Sequence, residues 1–127
     1  MLLARIGAAL YFLWGVLHIL AAYKVYVFGQ TLDEGMLQGR IFQDAWNLLF
    51  FAFFAMVIAI KYNWHNHATG YWLALFVISM GDIGFIVTIL IPGYLSLIPG
   101  IFGPLLWLLA LGFSSVAMWQ GKRATSV

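Results

Sequence analysis

Asp82 is the only charged residue in an apolar stretch that runs from Tyr71 to Leu90. A stretch of that length matches the about 20 mostly apolar residues a helix needs to cross a hydrocarbon core. A carboxylate at such depth costs about 2.5–3.5 kcal/mol on insertion scales, and charges retained there face other helices or a polar cavity. A chain carrying it must screen it from lipid. That requirement favours a bundle of several spans over a single anchor.

Composition narrows the class further. The chain has 127 residues, of which 65% are hydrophobic and 8% charged, whereas soluble domains are about half apolar and a quarter charged. Six basic and four acidic residues give a net charge of +2, and no basic run exceeds Lys122-Arg123, which sets nucleic-acid binding aside. Cysteine is absent, so thiolate nucleophiles, disulfide relays and iron–sulfur sites are excluded. The first apolar run extends to about Tyr23, longer than the roughly 7–15 residues of a signal-peptide core, and is expected to be a retained span.

The pattern predicts an all-α integral membrane protein, one domain over 1–127, with spans at about 3–23, 36–60, 71–90 and 100–119 and short loops. The apolar runs lack period-two alternation and are too long for barrel strands. Polar segments 28–35 and 61–70 separate the first three spans, Pro92-Gly93 stops the third, and Pro99-Gly100 opens the fourth. With four spans both termini share one side, which collects Arg5, Lys61, Lys122 and Arg123; the other has Lys24 and Arg40 offset by Asp33 and Glu34. Basic short loops stay inside, so both termini are expected in the cytoplasm, in a membrane of the bacterial inner type.

Polar residues inside the spans mark the candidate site. Arg40, Gln43, Asp44 and Asn47 recur at i, i+3, i+4 and i+7, which places them on one face of the second helix. Arg40 and Asp44 are spaced for an ion pair, and the cost of facing lipid predicts that this stripe turns inward. His18 lies in the distal half of the first span, one turn after Trp14 and two after Tyr11, with Gly15 and Ala22 allowing a neighbour to approach. Asp82 has Ser79 one turn before it and Gly81 and Gly84 beside it, small neighbours that predict close packing. Pro104 frees the carbonyl of Gly100, and Gly103, Trp107, Ala110 and Ser114 share one face of the fourth span. His18, Asp82 and Asp44 are therefore the candidate acid–base residues. Trp14, Tyr11, Arg40, Gln43, Asn47 and Trp107 are the candidate ligand contacts, all converging on one cavity. No cofactor or metal is expected. His65 and His67 sit in a hydrophilic loop without an acidic or cysteine partner nearby, and no nucleotide, zinc-protease or nucleophile-elbow motif is present.

Gly15-Val16-Leu17-His18, the Asp of the third span and Leu106-Trp107 loosely resemble the sterol-isomerase-like family of emopamil-binding proteins, which implies an intramembrane acid–base pocket for an apolar ring system. Ala22 stands where that family places an acid one turn after the His. The four-span layout also resembles small DoxX-like membrane proteins, whose functions are mixed. These resemblances fall short of family membership.

Three functions are compatible with such a chain. The first is binding or conversion of a small apolar or amphiphilic, lipid- or isoprenoid-like molecule by His/Asp chemistry, with membrane lipid and an apolar small molecule as partners. The second is an oligomeric proton- or cation-coupled transporter or channel, which for one small bundle implies a homo-oligomer. The third is an accessory subunit of a larger membrane complex.

Overall fold

The computed structural model describes residues 1–124, with the side chains of Arg123 and Ala124 outside the description. Arg123, counted above among the basic residues of one side, is thus not placed. Four long helices account for the chain: α1 (Leu2–Gly29), α2 (Met36–Lys61), α3 (Ala68–Leu90) and α4 (Phe102–Ala124). All four are long and apolar enough to cross a membrane, and no strand occurs among the described residues. A 3₁₀ turn, Asn63–His65, follows α2, and a single helical turn, Leu97–Gly100, precedes α4. Pro99-Gly100 therefore closes a separate turn rather than opening the fourth span. α3 changes pitch along its length, with π-helical turns at Ala74–Ile78 and Ile86–Leu90.

Small residues decide how the helices meet, because lipid provides no hydrophobic drive for association and close backbone approach supplies the attraction. α1 is the central element. A Cβ on Gly15 would stand 2.8 Å from the Ala52 carbonyl oxygen of α2, and Gly7 lies directly under the Ser114 side chain of α4. α2 contributes the buried Ala45, Ala52, Ala55 and Ala59. The core joins Ala8, Tyr11 and Trp14 of α1, Ala55 and Ala59 of α2, Ala74 and Ile78 of α3, and Trp107 and Ala110 of α4.

Contacts at the ends define an up-and-down bundle. The Arg5 guanidinium lies over the Trp64 ring at 5.6 Å, the Asn66 amide donates to the Ala117 carbonyl at 3.1 Å, and Tyr71 and Ser115 hydroxyls are 3.1 Å apart. The start of α1, the 62–67 turn and the last turns of α4 thus share one end. At the other end Gln38 donates to the carbonyls of Gly29 and Leu32 at 3.1 and 3.2 Å, closing the α1–α2 connection.

The polar stripe of α2 corrects an expectation. Arg40, Gln43, Asp44 and Asn47 are all exposed, on a different face from the buried alanines. The ion pair is not formed; Arg40 donates instead to the Gln43 side chain at 2.8 Å. Only one side of a helix can carry both the contact with α1 and the small residues that permit it. The alanine seam occupies that side, so the stripe is turned out.

Candidate functional site

Asp82 is 1% exposed, and so is Trp14. The Trp14 indole N–H of α1 donates to Asp82 Oδ2 of α3 at 2.6 Å, a bond between residues 68 apart in the chain. One turn later on α1, the His18 ring stacks on the Trp14 ring with centroids 3.6 Å apart and planes 24° apart. His18 Nδ1 lies 2.8 Å from the Trp14 carbonyl oxygen. A carbonyl only accepts, so Nδ1 is the protonated nitrogen of this contact, and the neutral ring keeps Nε2 as an acceptor.

A second indole bond repeats the pattern from the other flank. Trp107 Nε1 of α4 donates to Ser79 Oγ at 2.9 Å, one turn before Asp82. α3 therefore presents two oxygens along one face, and each receives an indole from a different helix. Indoles suit this task because they bring a large apolar body and a single donor. Ser79 is a participant that the sequence marked only as a neighbour of Asp82.

The small residue that brings the pieces together is Gly103 of α4. A Cβ there would stand 3.4 Å from His18 Cε1 and 3.7 Å from Asp82 Oδ1, so the imidazole and the carboxylate border the same spot. Gly81 and Gly84, expected to provide the close approach, have open space where a Cβ would go. The burial of Asp82 comes from α1 and α4 closing on it, not from its own helix thinning.

Asp82 Oδ1 is buried and has no hydrogen-bond partner within the protein. Trp14 has taken the other oxygen. Buried polar atoms are nearly always paired, and leaving one unpaired costs about 1–3 kcal/mol, more for a charged group. The arrangement is thus a carboxyl fixed through one oxygen and still able to accept through the other, beside an imidazole. Chemically it can hold a hydroxyl or ammonium donor, or exchange a proton with such a group.

The other sequence-predicted residues divide clearly. Tyr11 is buried, one turn before Trp14, and its hydroxyl has no protein partner. Trp107 joins through Ser79. Asp44, Arg40, Gln43 and Asn47 lie on the outer face of α2, away from this cluster. The expected common cavity is replaced by a packed contact of Trp14, His18, Asp82 and Gly103.

Sequence reasoning passed over a second polar group. Asn63 is 5% exposed with both amide atoms unpartnered, and the buried Ser114 Oγ has no partner either. Both line a cavity of about 10 Å³ at the end of the bundle that holds the 62–67 turn, together with Ala4, His67 and Tyr71. That volume suits one water molecule. A signal was present in Gly7 and Gly70, which sit against these two side chains.

Comparison with protein-family models, curated proteins and solved structures finds no match to this chain.

Proposed function

We propose that the protein is a multi-pass membrane protein in which Asp82 and His18 form a site that binds or converts a small apolar or amphiphilic molecule, by acid–base chemistry at a hydroxyl or amine. The observation that carries this reading is the unpartnered Asp82 Oδ1 beside His18. A ligand donor would satisfy Oδ1, and His18 Nε2 offers the complementary acceptor. His18 is only partly buried, so a molecule dissolved in the bilayer reaches the carboxylate past the imidazole. Trp14 orients both groups, holding the carboxylate by its N–H and the imidazole by its ring face. In a conversion, an ionised Asp82 Oδ1 would take a proton from the ligand oxygen or nitrogen and hand it back to another atom of the same molecule, while His18 Nε2 accepts a hydrogen bond from it.

The reading extends to location. The excess of Arg5, Lys61 and Lys122 at one end supports cytoplasmic termini.

One observation favours a second reading. The Trp14–Asp82 and Trp107–Ser79 bonds fasten α3 to two neighbours, which is also what a purely structural polar contact would do. An accessory subunit would need nothing more. Mass spectrometry of the purified chain separates the two. The ligand reading expects one lipid-soluble molecule with a hydroxyl or amine, enriched over the surrounding membrane lipid. A profile identical to bulk lipid would favour the structural reading.

A further inference from the structure

Among the described residues, the outward stripe on α2 makes no side-chain hydrogen bond outside itself. Arg40, Gln43, Asp44 and Asn47 are exposed over the first half of the helix. α2 has 26 residues, about 39 Å at the helical rise against a hydrocarbon core of about 30 Å, so with Lys61 at the opposite surface the core begins near Ile41 and Asn47 lies about 9 Å inside it. Arg40 has a stem long enough to snorkel. Asp44 and Asn47 do not. Asp44 makes no hydrogen bond or ion pair among the described residues, and Arg40 bonds only Gln43. Groups of this kind within a membrane face protein rather than lipid.

We propose that this face of α2 is the interface with a second copy of the same chain. The stripe is self-complementary. It carries one cation, one carboxylate and two carboxamides, so its net charge is zero, and each amide both donates and accepts. A two-fold axis along the membrane normal places α2 parallel to its copy at equal depth. Asn47 then meets Asn47 of the other copy, amide to amide. Arg40 reaches one turn down to the copy's Asp44, and the reverse pair forms by symmetry. A different partner would need a complementary set at the same depth, and the copy provides one by construction. The Asp82 site is buried between α1, α3 and α4 and is not used in this contact.

The absence of cysteine makes a direct test available. Asn47→Cys and, as a control on the exposed face of α4, Leu109→Cys are made singly in the full chain and oxidised in native membranes with copper phenanthroline. The interface predicts a covalent dimer in most of the Asn47→Cys chains and at least tenfold less for Leu109→Cys. Single-molecule photobleaching of the labelled, cysteine-free chain should show two steps. Arg40→Glu should shift it to one step, and Arg40→Glu combined with Asp44→Arg should restore two. Equal cross-linking at both positions, or one-step bleaching of the parent chain, overturns the proposal. So does a cross-link from position 47 to a different protein, which would assign the face to another subunit.

Discussion

Replacing Trp14 by Phe removes one N–H and part of a ring, and the geometry sets what that should cost. The indole donates at 2.6 Å to a carboxyl that is 1% exposed. A bond to a charged group contributes about 1.5–3 kcal/mol, whereas neutral side-chain bonds between membrane helices average about 0.6 kcal/mol. Trp14→Phe leaves both oxygens of Asp82 unpartnered, so its loss should be about 3 kcal/mol, with the smaller ring adding to it. The same change in an Asp82→Leu background removes no bond and should cost only the packing share. The double-mutant cycle therefore reads the interaction itself. Reversible unfolding in mixed micelles, followed by tryptophan-independent circular dichroism, measures all four proteins. A coupling of about 1.5 kcal/mol or more marks a charge-assisted bond, and one near 0.6 kcal/mol a neutral one. A coupling indistinguishable from zero would refute the claim that Trp14 holds Asp82.

Further expectations can be checked with the same preparations. Gly15→Val should abolish the folded bundle on size-exclusion chromatography, because the Ala52 backbone carbonyl stands 2.8 Å from where its Cβ would go. Gly81→Ala should leave the bundle intact and raise its stability by up to about 1 kcal/mol in an unfolding titration, since nothing lies within 4 Å of that Cβ. His65→Ala should shift stability by about 0.5 kcal/mol or less in the same titration, its side chain being exposed, whereas His67→Ala should cost about 1 kcal/mol because its ring accepts from the Thr69 N–H at the start of α3. A C-terminal fluorescent reporter that matures only in the cytoplasm should be bright; an active periplasmic phosphatase fusion instead would reverse the orientation.

Much of this was legible in the residues. The lone Asp82 among apolar neighbours implied burial between helices, and the apolar run lengths placed all four spans. His18 was recognisable as a companion of Asp82 because their depths agree, and Trp14 entered only as its neighbour one turn earlier on α1. The stripe on α2 shows where such reasoning stops. Periodicity puts Arg40, Gln43, Asp44 and Asn47 on one face, but the cost of polar groups in lipid only says that the face must be covered, not by which protein surface. Ala45, Ala52 and Ala59, seven residues apart, were the competing signal, and close packing against Gly15 is what they permit. Gly81 and Gly84 were misleading for a related reason, because a glycine permits approach without requiring it. The part played by Gly103 depends on how α4 crosses α1 and α3, which no local pattern encodes.

The central claim is that Asp82 accepts a ligand donor through Oδ1, and Asp82→Asn tests it most directly. The Asn carbonyl can keep the Trp14 bond, which then puts the amide NH2, a donor, where Oδ1 had been an acceptor. Shape and helix fastening are retained while the polarity offered to the ligand is inverted. The measurement is the amount of co-purified lipid-soluble molecule per chain, wild type against Asp82→Asn, at matched folding by unfolding midpoint. The ligand reading predicts a well-folded variant that has lost at least nine-tenths of that molecule. A variant equally well folded and equally loaded would contradict it, and would leave Asp82 as a contact between helices.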